Sequence, residues 1–152
     1  MKHLKSLLHF MIGIIVISNI MFAKHGPTEE EGIVYFIRPS NMIGAINAVG
    51  VFDGNERLGK LRNNRAMYVM LEPGEYSLGD KKEEHQVELK VEANKAYYIK
   101  VKIRMTLTKY VTTIMAYNGY FDQVDEEDGE ELLEDVKKVE EFHPDEKKSG
   151  KF

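Results

Sequence analysis

Arg38, in the run Arg38-Pro39-Ser40, is the most distinctive polar feature of this 152-residue chain. Its guanidinium fork suits a carboxylate or phosphate, held through two parallel hydrogen bonds with Ser40 alongside. The plainer alternative is an ion pair with an acid at the rim of its own domain, with Pro39 ending the strand because it lacks an N–H. Lys100, Lys102 and Arg104 occur at every second position, so an extended backbone projects them, together with Tyr98, on one face. Such a stripe would grip an anionic glycan or a lipid head group; as an ordinary solvated face it would be neutralised by Glu88 opposite Lys100. Tyr35, Tyr68, Tyr76, Tyr97, Tyr98, Tyr110, Tyr117 and Tyr120 would dock a glycan or peptide if exposed, and otherwise fill core and rim.

Reaction chemistry finds less support. His85 lies on the apolar side of an alternating segment, beside no Ser or Cys in a nucleophile motif, and reads as a satisfied histidine at a sheet end. H-E-x-x-H, G-x-S-x-G and phosphate-cradling glycine loops are absent from the sequence. The acidic run Asp122 to Glu131 raises calcium, yet taking Gly129 as the loop glycine puts Val124 at the first ligand position, where it has no oxygen to offer. His25 and His143 lie in terminal segments. With no cysteine there is no disulfide, thiolate zinc site or lipid attachment through an N-terminal Cys. No catalytic residue, cofactor or metal is expected.

The elements that position these residues follow a short leader. Residues 1–23 place Lys2 and Lys5 before an apolar run and end on Ala23, the pattern of a signal peptide. The alternative is an uncleaved inner-membrane anchor, since the 17 residues 7–23 are at the short end for a bilayer crossing. Either way the remainder is expected outside the cytoplasm, in the periplasm or secreted. Residues 24–121 hold 14 Lys plus Arg against 12 Asp plus Glu, whereas residues 122–152 hold 5 against 13. A near-neutral body with an acidic tail argues against nucleic acid.

The expected organisation is a linker over 24–31, a β-domain over 32–121, an acidic segment with a helix over 122–144, and a disordered tail over 145–152. Short apolar runs broken by turn residues predict strands at Gly32–Arg38, Ala45–Phe52, Arg57–Leu61, Ala66–Leu71, Glu75–Leu78, His85–Val91, Ala96–Met105 and Tyr110–Tyr117. Asp53-Gly54 predicts a type I′ hairpin with Val49 opposite Leu58. A second hairpin centred on Asn94 would set Val91 against Tyr97, Leu89 against Ile99 and Glu88 against Lys100. So many short strands bury their apolar faces economically as a mainly β, antiparallel two-sheet sandwich, immunoglobulin-like or prealbumin-like. Val34 to Ile37 and Met67 to Met70 are apolar on both faces and need a cover. Asp128 as N-cap, Glu131 as its capping-box partner and the stripe Leu132, Val136, Val139, Phe142 predict an amphipathic helix over 129–142, stopped by Pro144.

Four motifs carry a family likeness: Y-x-x-R-P-S at Tyr35 to Ser40, F-D-G-N at Phe52 to Asn55 with Leu58-Gly59 following, L-x-P-G-x-Y at Leu71 to Tyr76, and A-N-K-A-Y-Y at Ala93 to Tyr98. Over about residues 32–120 the chain resembles a bacterial family of small secreted and lipoprotein domains of unknown function, with a sandwich akin to the PEGA-type surface-layer module. Many relatives carry a lipobox Cys, which this chain lacks. The resemblance implies a sandwich in the cell envelope and brings no catalytic residue. The expected function is a non-enzymatic extracytoplasmic binding or adaptor module for an envelope protein or polymer, with Arg38, Ser40, Tyr98, Lys100, Lys102 and Arg104 as candidate contacts. The alternative is a small-molecule-binding protein or hydrolase with a pocket between sheet and C-terminal helix.

Overall fold

The computed structural model describes residues 26–81, 85–107 and 115–142. The leader, the tail after residue 142 and the Tyr110 to Ile114 part of the last expected strand lie outside the described residues. In chain order come β1 (Gly32–Arg38), β2 (Val49–Asp53), β3 (Glu56–Leu61), β4 (Arg65–Leu71), β5 (Gly74–Gly79), β6 (Gln86–Val91), β7 (Ala96–Leu107), β8 (Met115–Val124), α1 (Glu126–Asp135) and β9 (Val139–Glu141). They form a sandwich: one sheet in the order β8-β7-β1-β4-β9, the other β3-β2-β5-β6. Most pairs are antiparallel, but β1 runs parallel to β7 and β4 parallel to β9.

Side-chain alternation explains the layering. β1 is buried along its whole length. Its Val34 and Phe36 enter the core between the sheets, with Val51, Leu61, Leu78, Ile99 and Phe121. Its Ile33, Tyr35 and Ile37 turn to the other side, where Tyr68 and Tyr98 join them beneath Leu132, Leu133, Val136 and Val139. The tail is therefore the cover that the two-faced strands require. Removing this apolar area from water supplies about 25 cal/mol per Å².

The cover differs from a helix over 129–142. Asp125 is the N-cap, its carboxylate accepting from the Asp128 N–H, and α1 ends at Asp135. The stripe positions still face the protein, but Val139–Glu141 is an edge strand on β4, and Phe142 packs into the core between the sheets. Lys137 N–H reaches the Asn64 carbonyl and Ala66 N–H the Lys138 carbonyl, so pairing with β4 outcompetes further helical turns. Residues 122–144 are thus no separate segment, since β8 itself runs on to Val124.

Strand pairing departs from the two expected hairpins. Val49 faces Leu61, not Leu58, because β2 and β3 turn at Gly54-Asn55 and a bulge inserts Leu58 between the Phe52–Arg57 and Val51–Gly59 pairs. Gly54 takes φ 52° while Asn55 does not share the positive φ that type I′ needs. β6 and β7 do not pair. β6 lies on β5 and β7 on β1 and β8, so Leu89 and Val91 meet Ile99 and Val101 across the core rather than along a ladder. The chain switches sheets through Asn94, left-handed at φ 58°. From Gly26 on, the expected linker is bound to this switch: Asn94 N–H donates to the carbonyls of Thr28 and Glu31.

Candidate functional site

The two ends of β1 carry different chemistry. At its C-terminal end, Arg38 continues the inward series of Val34 and Phe36 and is 1% exposed. Its Nη1 donates to the Asn47 carbonyl (2.6 Å) and the Leu61 carbonyl (3.2 Å), and its Nη2 to the Gly44 carbonyl (2.8 Å). No carboxylate lies within ion-pair distance among the described residues, and burial holds the guanidinium below its ordinary pKa. Arg38 is thus neither an exposed anion receptor nor a rim ion pair. It plugs the open end between the sheets and pins the loop at residues 39–48.

That loop has internal order. Ile43 N–H donates to Asn41 Oδ1, Asn41 N–H to Asn63 Oδ1, and Asn47 N–H to the Gly44 carbonyl. Gly44 at φ 68° supplies a conformation that side chains disfavour. The product is a fixed loop with Met42 95%, Ile46 97% and Ile43 51% exposed. The expected strand over 45–52 begins only at Val49, so Ile46, taken as a strand residue, stands in solvent instead. A run of large aliphatics between Pro39, Asn41, Gly44 and Asn47 is the signal that could have found this loop.

Ser40 is exposed and borders a cavity of about 70 Å³ with Arg38, Ile43 and Lys102. The cationic stripe is largely engaged. Lys102 pairs with Asp122 at 2.7 Å, and the Arg104 guanidinium sits 4.6 Å over the Tyr120 ring. Lys100 faces Asp122 across the ladder, whereas Glu88 is in the other sheet, hydrogen-bonded by Ser77. Tyr98 shares the strand and face of the stripe but is buried beneath α1, so the stripe and Tyr98 form no single exposed surface.

At the N-terminal end of β1, a cleft of about 500 Å³ opens between α1 and the start of β7. Tyr98 and Tyr35 stack on its floor, ring centroids 5.4 Å apart at 12°. Glu126, Glu130 and Leu133 descend from α1, with Pro27 and Lys95 opposite. Gly129 lets the helix approach: a Cβ there would collide with Cβ, Cγ and Cδ1 of Tyr98. Burial, then the charges of Glu130 and Glu126, push the Tyr98 hydroxyl up, and burial next to Tyr98 lifts Tyr35 to about 12. The sequence singled out Tyr98 but neither glutamate, although their i, i+4 spacing places both on one helix face.

His85 packs against Tyr120, ring centroids 4.5 Å apart, with Nδ1 3.9 Å from Asp80 Oδ2. No cleft described above includes it. Among the described residues no group of three His, Cys, Asp or Glu is placed to hold a metal, and no helix is long and apolar enough to cross a membrane.

The family model for DUF2846, described as a protein of unknown function, matches residues 28–114. The chain belongs to this family. The DUF2846 match runs from before β1 to the residue preceding β8, so it holds Arg38, the pinned loop and both floor tyrosines, while α1 with its two glutamates lies after it. No curated protein and no solved structure matches the chain.

Proposed function

We propose that this DUF2846 chain is a non-enzymatic, extracytoplasmic binding or adaptor module that docks an envelope protein through the loop at residues 39–48. The observation that carries the reading is the exposure of Met42, Ile43 and Ile46 on a loop pinned by a buried arginine. A loop already held in one shape loses little conformational freedom on docking, so its apolar area converts efficiently into affinity. The occupant is a protein with an apolar recess. The described fold begins at Gly26, ahead of β1, and the loop follows the far end of that strand, roughly 20 Å away at about 3.3 Å per strand residue. Attachment to a bilayer ahead of Gly26 would leave the loop free for a protein beyond it. The proposed likeness to PEGA-type modules belongs to the same reading, in which the quoted motifs serve as turns and as the loop anchor.

A photoreactive residue in place of Ile46, in cells expressing the full chain, tests this. One protein should be captured, with loss of the adduct in Met42→Ser and on competition by untagged chain. Adducts with lipid alone, or none that saturates, would overturn the docking. Fractionation with N-terminal sequencing tests the location, and recovery of the whole chain in the cytoplasm would refute export.

A further inference from the structure

We propose that the cleft between α1 and the start of β7 binds an alkylammonium group, the charged end of a small aliphatic amine. Its volume of about 500 Å³ is within the range of small-molecule sites. Glu126, Glu130 and Tyr98 line it, with Tyr35 and Asn94 as further oxygen-bearing side chains. Glu126 and Glu130 stand one helical turn apart, and no cation lies within ion-pair distance of either among the described residues. Lys95, the cation at the rim, is paired with Glu92. Independently, Tyr98 is only 6% exposed and lines the cleft, and its hydroxyl makes no hydrogen bond to a described residue. The Tyr98 hydroxyl and the two exposed carboxylates, none with a cation partner among the described residues, together form an acceptor set open to a donor from solution.

A primary ammonium supplies three N–H donors and the opposite charge. Leu133 and Pro27 offer apolar surface to an alkyl chain. An anion would meet two carboxylates. A hard divalent cation is bound chiefly by converging carboxylates, and among the described residues no group of three His, Cys, Asp or Glu is placed to hold one.

The test uses protein purified from cells expressing the full chain, n-pentylamine and n-pentanol as probes, and the ring resonances of Tyr35 and Tyr98 as readout. Pentylamine should give saturable shifts that pentanol does not. Replacing both acids, Glu126→Gln with Glu130→Gln, should weaken binding by about tenfold or more, the scale of hydrogen bonds to charged groups. Tyr98→Phe keeps the ring stack and should cost roughly threefold to tenfold. Ile46→Ser should change nothing, which separates this site from the docking loop. Equal shifts with pentanol, undiminished affinity in the double variant, or calcium chloride saturating the same resonances at lower concentration than the amine would each overturn the proposal. Should the double variant fail to fold, Tyr98→Phe and the alcohol control decide.

Discussion

The ends of β1 invert each other. At the loop end a charge is buried and aliphatics are exposed; at the cleft end aromatics are buried and charges stand at the surface. The cleft end follows ordinary partitioning. Its tyrosine layer is dry because α1 lies on it, and the glutamates sit in water, Glu126 also in the first turn where the helix dipole favours a carboxylate. The loop end breaks the rule twice, and the two breaches are linked. Burying Arg38 is tolerable because three carbonyls replace its water, and those bonds are what hold Met42 and Ile46 in the open. An exposed apolar surface that needs a buried charge to maintain it points to use rather than accident.

If that contrast is right, Arg38→Met should be the most damaging of the single changes considered. It removes the shared donor of the Gly44, Asn47 and Leu61 carbonyls and should lower stability by about 3–4 kcal/mol, read by urea denaturation. Limited proteolysis should then cut within residues 39–48. Arg38→Lys should rescue poorly, because a compact ammonium does not reproduce the fork.

Alkaline titration probes the tyrosine layer beneath α1. Tyr35, raised to about 12, and Tyr68, raised further by burial and the neighbouring Glu141, hold their protons more tightly folded than unfolded. Their contribution is therefore fully present below pH 10, the ordinary tyrosine value, and lost as pH rises from there toward about 12, where the folded Tyr35 ionises. For Tyr35 the loss is on the order of 2–3 kcal/mol at about 1.4 kcal/mol per unit. Tyrosinate absorbance and far-UV circular dichroism should change together in that window. Ionisation of every tyrosine with the fold intact would contradict the dry layer.

Gly129→Ala sharpens the comparison further. In an exposed helix this change stabilises by about 1 kcal/mol. Here the methyl meets the Tyr98 ring, and overpacking should reverse the sign, to a loss of about 1–3 kcal/mol. A raised melting temperature would show that α1 is not seated on Tyr98. The smallest effect is reserved for the loop surface: Met42→Ser with Ile46→Ser should move stability by less than about 0.5 kcal/mol while abolishing capture at the loop.

Much of this was legible before any coordinates. Period-two alternation marked β1 and β4 as apolar on both faces, and an amphipathic tail with capping acids supplied the cover, so sheet, second sheet and lid follow from hydrophobic pattern. Residue type at the turns marked where strands end, but at Asn94 it predicts a hairpin where the chain instead changes sheet. Pattern states which face of a strand must be dry, but not which strand lies alongside it. Leu89 can be dried by a ladder neighbour or by the opposite sheet, and only global packing chose the latter. The fate of Arg38 was beyond local reading for the same reason: whether a guanidinium meets water, an acid or three carbonyls depends on backbone from residues 44, 47 and 61 arriving at one point. The cleft likewise exists because a helix from residues 126–135 settles over tyrosines from two parallel strands. Local sequence determined the dry faces and the turns; long-range convergence of backbone, which no short window encodes, decided where the charges are hidden and where a ligand or a partner finds room.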